Sequence, residues 1–158
     1  MFRKMLRQKQ ALAKEECVKI LCKEPRGVLS ILGDDGYPYG MPMNYWYDQE
    51  SDCLYFHGGK QGHKIDAIGN GTKASFCVYD QGFRREGEWA LNIKSVIVFG
   101  QIAPVEDEKL AMEMCRRLSY KYTPDEAYIE HEIKVSGLHT LCLALHVEHM
   151  TGKLVNES

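Results

Sequence analysis

The sequence lacks any apolar run of membrane-spanning length: stretches such as residues 96–99 and 141–145 end after four or five residues, where a transmembrane helix needs roughly 18 or more. It also lacks an excess of one charge. Lysine and arginine number 20 against 22 aspartates and glutamates, a formal net charge of -2, so a dedicated nucleic-acid binder, which calls for a basic domain, is not expected. There is no C-x-x-C pair. Cys17, Cys22, Cys53, Cys77, Cys115 and Cys142 lie scattered in apolar stretches, where a thiol behaves as a small hydrophobe, and reduced cysteines in a cytoplasmic protein are expected. Residues 1–26 hold eight basic residues and three glutamates, but no apolar segment follows as in a secretory signal. Neither the P-loop nor the dinucleotide fingerprint occurs.

What is present is ordinary globular material. At 158 residues, 44% apolar and 27% charged, the chain is expected to form one domain over residues 1–158 with one core. Leu12, Ala13, Cys17, Ile20 and Leu21 recur at helical spacing and predict an amphipathic helix at about 10–23, ended by Pro25 and Gly27. The period then changes to that of strands. Residues 28–32, the turn Gly33-Asp34-Asp35-Gly36 and an extended run over 39–47 read as a hairpin. Further strands are expected at 53–57, 74–79, 95–102 and 140–150, with short helices at 63–68 and 107–118. A helical turn is expected after Thr123-Pro124-Asp125-Glu126, with Thr123 as its cap. About six antiparallel strands joined by short turns, with peripheral helices, imply a mainly β, barrel-like fold. Residues 80–88 read as a loop.

Two stretches carry chemistry. Tyr55-Phe56-His57-Gly58-Gly59-Lys60-Gln61-Gly62-His63-Lys64 runs from a strand through a glycine-rich turn into a short helix. Glycines let a backbone approach a ligand, and Lys60, His63 and Lys64 supply cations, so the stretch is built to take an anion such as phosphate. Pro38 and Pro42 interrupt the extended run Tyr37-Pro38-Tyr39-Gly40-Met41-Pro42-Met43-Asn44-Tyr45-Trp46-Tyr47. Proline cannot donate to a ladder, so part of this backbone faces something other than a strand: a ligand edge, or solvent at a sheet edge. His139, His146, His149 and Cys142 do not suit a metal, because alternation puts His146 and His149 on opposite faces, with His149 beside Leu143 and Leu145. No metal site is expected.

With Gly-Val-Leu-Ser at 27–30, Asp-Gly-Tyr-Pro-Tyr-Gly at 35–40, Pro-Met-Asn-Tyr at 42–45, Tyr-Phe-His-Gly at 55–58, Gly-His-Lys-Ile-Asp at 62–66, Ser-Val-Ile-Val-Phe-Gly at 95–100 and Glu-His-Met-Thr-Gly-Lys at 148–153, the chain resembles the nitroimidazole-reductase branch of the pyridoxamine 5'-phosphate oxidase-like flavoproteins. The likeness runs from about Leu12 to Lys153. It implies a split β-barrel, Greek-key-like, that binds FMN at the interface of a homodimer. It implies ring contacts from Met41, Pro42, Met43 and Asn44, and phosphate contacts from His57, Gly58, Lys60, His63 and Lys64. Ser95 is implied as a further flavin contact and His57 as a residue beside the flavin and substrate, the candidate catalytic residue. Where the oxidase has an Arg-Lys pair this chain has His63-Lys64, and the oxidase's C-terminal Trp and Arg are not recognisable, which argues against vitamin B6 oxidation. The activity implied is reduction of a nitroaromatic or similar electron-poor small molecule, with a nicotinamide or a partner reductase as donor. A flavin- or haem-binding module with little turnover, and a non-catalytic regulatory dimer, are the alternatives.

Overall fold

The structure is a computed structural model that describes residues 1–156, apart from the Leu138 side chain; residues 157–158 of the expected domain lie outside the described residues. In chain order the elements are α1 (Lys14–Lys23), β1 (Arg26–Leu32), β2 (Pro38–Asn44), β3 (Trp46–Asp48), β4 (Cys53–Gly59), α2 (His63–Ile68), β5 (Thr72–Tyr79), β6 (Asn92–Pro104), α3 (Glu108–Tyr120), α4 (Glu126–Ser136) and β7 (Thr140–Asn156). The strands form one antiparallel sheet in the order β2-β1-β5-β6-β7-β4-β3. It curls until β2 lies against β4.

Alternation of side chains produces the curl. Leu29 and Ile31 of β1, Phe76 and Val78 of β5, and Val96 and Val98 of β6 point inward, while their neighbours in sequence point out. At the centre Phe76 meets Phe56 and Tyr45 edge to face, with centroids 5.1 and 4.7 Å apart, contacts worth about 1 kcal/mol each beyond the area they bury. On β4 and β7 the alternation gives way to continuous buried runs, residues 53–56 and 142–145. Both faces are covered there, one by the barrel core and the other by Met114 and Ala111 of α3 packed on Cys53, Tyr55, Cys142 and Ala144. Arg116 of α3 grips Glu130 of α4 through Nε and Nη2, at 2.6 and 3.2 Å, and holds the two helices together.

The sheet carries seven strands against the expected six, because the run over 39–47 breaks at Tyr45 and changes ladder from β1 to β4. The Asp35-Gly36 turn has the positive φ expected of it, 54° and 78°. Helix α1 starts at Lys14, not near residue 10. Leu12 donates its N–H to the Gly152 carbonyl and Ala11 bridges Lys153, so β7 captures the segment that helical periodicity assigned to the helix. Helix α4 is capped by Asp125, whose carboxylate accepts from the Tyr128 N–H, rather than by Thr123. A bulge between Phe99 and Gly100 of β6 inserts an extra residue into β7. It turns His149 to the outer face, where Phe2 stacks on it at 4.5 Å, and not toward Leu143 and Leu145 as strict alternation predicts.

Candidate functional site

The curl leaves a seam. Strand β4 pairs with β7 over its whole length but with β3 only through Cys53, Leu54 and Tyr55, so the second edge of residues 56–59 has no strand neighbour. Strand β2 pairs with β1 alone. Two rows of backbone donors and acceptors therefore border the split without ladder partners.

Lys64 crosses this gap. Its Nζ lies 3.8 Å from Met43 Sδ on β2 and 2.8 Å from the point a Cβ would take at Gly58 on β4. Any side chain at Gly58 would displace the ammonium, which gives that glycine its role. Among the described residues no carboxylate pairs with Lys64, and burial holds its pKa below the ordinary lysine value of 10.5. A half-buried cation with no counter-ion among the described residues, beside unpaired backbone, has the chemistry to hold an anion. Helix α2 has only six residues, so the charge comes from Lys64 more than from a helix dipole.

The other basic side chains of the loop diverge from it. His63 stacks on Tyr39, centroids 4.1 Å apart, with Nε2 3.4 Å from an Asp34 oxygen. His57 leaves the opposite face of β4, level with Cys142 of β7. With Lys60 it borders a cavity of about 420 Å³ between that face and helices α3 and α4. Although His57 reaches solvent at the cavity mouth, desolvation by the surrounding wall, and then the Lys64 charge, hold its pKa below the usual 6.5. Its imidazole is neutral at neutral pH and can both donate and accept a hydrogen bond.

Met41 and Met43 bury their side chains in the core, so only their backbone is available to a ligand, whereas Pro42 and Asn44 stand on the outer face, Asn44 Oδ1 accepting from Arg26 Nε at 2.9 Å. Ser95 is not brought to the seam of its own chain. It pairs with Tyr79 and Lys153, on a strand three steps from β2 in the sheet, roughly 14 Å away at the usual strand spacing. Tyr45 and Tyr47 are core residues, and Trp46 stacks on Tyr55.

Sequence reading misses Tyr122. Its hydroxyl accepts the Tyr45 N–H at 2.8 Å and lies 2.6 and 2.9 Å from the Pro25 and Tyr45 carbonyls, to one of which it donates. It thus fastens the strand at the point where β2 becomes β3. Lys121 beside it places Nζ 3.7 Å from the Tyr45 ring centroid and donates to the Glu24 carbonyl at 2.7 Å, while burial draws its pKa down to about 8. The only sequence signal was a tyrosine between two helical segments. Tyr122→Phe is expected to cost about 2 kcal/mol by orphaning the buried Tyr45 N–H, which lowers Tm by roughly 4–8 °C; a thermal melt of the variant checks it.

A curled antiparallel sheet whose split is lined by unpaired strand edges and a glycine-cradled lysine defines the split-barrel class. The chain belongs to the pyridoxamine 5'-phosphate oxidase family, whose sequence model matches residues 13–154, a family of flavin-binding proteins. Among solved structures it is similar to a candidate 5-nitroimidazole antibiotic resistance protein from Bacteroides thetaiotaomicron, at 19% identity and a TM-score of 0.77 over 92% of this chain and 87% of the other. It is also similar to an FAD-binding protein from Mesorhizobium loti (22%, 0.67, 92% and 97%) and to an FAD and haem binding protein from Mycobacterium smegmatis (21%, 0.72, 93% and 73%). No curated protein matches the sequence. Among the described residues no helix is long and apolar enough to cross a membrane.

Proposed function

We propose that the protein is a cytoplasmic homodimer that binds FMN in the seam and uses it to reduce nitroaromatic, 5-nitroimidazole-like or related electron-poor small molecules, with a nicotinamide or a partner reductase as electron donor. The observation that carries this reading is Lys64, half-buried and with no counter-ion among the described residues, in the Gly58 cradle between two strand edges. Bound flavin supplies reversible two-electron chemistry, and the protein supplies position. Lys64 neutralises the phosphate, the backbone of Met41, Pro42, Met43 and Asn44 meets the polar edge of the ring, and neutral His57 offers a ring nitrogen as hydrogen-bond partner or proton carrier at the cavity mouth.

The dimer is supported by the outer sheet face. Pro42, Val28, Cys77, Ile97 and Thr151 form one row across five strands. Val28 and Ile97 of that row, with Phe99 beside it, are 37, 38 and 37% exposed, an apolar surface suited to a two-fold contact. The same face carries Ser95, two residues from Ile97 on β6, so a two-fold contact through this row would bury it at the interface.

A second reading, a flavin- or haem-binding module with little turnover, draws on the similar proteins named for FAD and haem. One preparation separates the two. Protein mixed with FMN is expected to turn yellow, sediment at twice the 18.1 kDa chain mass, bleach with a nicotinamide donor and regain colour with a nitroimidazole. Stable colour without turnover, FAD selected over FMN, or a haem Soret band favours the module. Protein that takes up neither flavin nor haem overturns both readings.

A further inference from the structure

Cys115 and Cys142 stand apart from the other cysteines. Cys142 lies on β7 and Cys115 on α3, and both belong to the cluster that packs α3 on the sheet. Both border the cavity of about 420 Å³, Cys115 part-exposed and Cys142 buried behind it. Their thiols lie close enough to interact with each other. From β4, His57 stands level with Cys142 and Cys53 packs behind it; from α4, Glu132 and Ile133 face the cavity. Cys115 and Cys142 are free thiols, and neither lies in the apolar row assigned above to the dimer contact.

We propose that Cys115 and Cys142 are a redox modification site that closes reversibly to a disulfide, with a hydroperoxide as oxidant. Cys115 is the part-exposed thiol of the pair and Cys142 the buried one, and the interaction between them holds the pKa of Cys115 below the ordinary thiol value of 9.0 and pushes that of Cys142 up. Cys53 is pushed up to about 11 by burial and stays a thiol. This division of labour suits an attacking and a resolving cysteine.

In the first step the Cys115 sulfur attacks the hydroperoxide, the O–O bond breaks, an alcohol or water leaves with a proton, and Cys115 becomes a sulfenic acid. In the second the Cys142 sulfur displaces that hydroxyl, which leaves as water with the Cys142 proton, and the S–S bond forms. Two thiols are oxidised by two electrons and one hydroperoxide is reduced. The bond holds the two sulfurs about 2.05 Å apart. Helix α3 is thereby tied to β7, and the cavity wall opposite His57 tightens. The site stands independently of flavin binding.

The test treats the full-length protein with a small excess of hydrogen peroxide or an alkyl hydroperoxide. Expected are the loss of two of the six thiols, a mass lower by two hydrogens, a Cys115–Cys142 cross-link in the peptide map, slower amide exchange in Glu108–Tyr120, and reversal by dithiothreitol. In Cys142→Ala oxidation is expected to stop at a Cys115 sulfenic acid trapped by dimedone, and alkylation of Cys115 at neutral pH to slow as its thiolate loses a stabilising partner. Cys115→Ala is expected to leave Cys142 unmodified. A cross-link between other cysteines, a disulfide only between chains, or a thiol count that stays at six while the unfolded chain is oxidised would overturn the proposal.

Discussion

Lys64→Ala is expected to raise the Kd for FMN about 30-fold, the loss of about 2 kcal/mol that goes with removing one charge-assisted contact to phosphate. The effect is large because, among the described residues, the ammonium has only a weak acceptor, Met43 Sδ at 3.8 Å. His63→Ala is expected to change Kd less than about threefold, or roughly 0.6 kcal/mol, since that ring is occupied by Tyr39 and Asp34. Lys64→Met fills the same space without charge and separates electrostatics from packing. Affinity is also expected to fall with alkalinity. A phosphate binds the protonated amine, so binding is at full strength below the pKa of Lys64 and is lost as pH rises through it; burial lowers that pKa from 10.5, and the loss begins at lower pH than for an exposed lysine. Quenching of FMN fluorescence, titrated in neutral and in alkaline buffer, reads both effects. An unchanged Kd in Lys64→Ala would move the phosphate elsewhere, with Arg84 and Arg85 of the 80–88 loop as the next candidates.

The contrast between Lys64 and His63 shows how far the sequence reaches. The glycines and the change of period marked the strand, turn and helix, and α2 falls on residues 63–68 as expected. Composition placed Lys60, His63 and Lys64 in one cationic cluster. The structure sends each a different way, because Gly58 leaves room on one side of β4 for Lys64, Tyr39 captures His63, and Lys60 follows His57 to the opposite face. Side-chain direction at a turn depends on what lies across the gap, which no local pattern encodes. Distance along the chain hid the rest. Tyr122 reaches Tyr45 over 77 residues and Pro25 over 97, and Cys115 meets Cys142 only because α3 folds back onto β7. The proline-interrupted strand was legible because a missing N–H is a property of the residue itself. Its break at Tyr45 was not, since a hydroxyl from a distant turn supplies the partner.

Gly100→Ala is expected to destabilise the fold severely, although it adds a single methyl group. The new Cβ would run into the His146 carbonyl oxygen and sit 2.9 Å from its carbon, and backbone on the partner strand cannot swing aside as a side chain can. Overpacking of this kind costs about 3 kcal/mol or more, a fall in Tm of at least roughly 6–12 °C for a chain this long. Relief by sliding the strands is closed off, because a one-residue slip along the β6–β7 ladder would turn Val96, Val98 and Ile102 out of the core. The bulge at this glycine also decides what each part of the outer face does. Before it, β7 presents Cys142 and Ala144 to α3; after it, β7 presents His149 and Thr151 beside Phe99 and Ile97 on the apolar face. A Cβ at residue 100 therefore strikes the junction between the helix-covered half of the sheet and the half assigned to the dimer. Gly59→Ala is the control, with nothing within 4 Å of its added carbon and no positive φ, and its Tm is expected to stay within about 2 °C of the parent. Thermal melts and soluble yield of the two variants side by side check the claim, and a stable, folded Gly100→Ala protein would mean that the bulge relaxes where the register says it cannot.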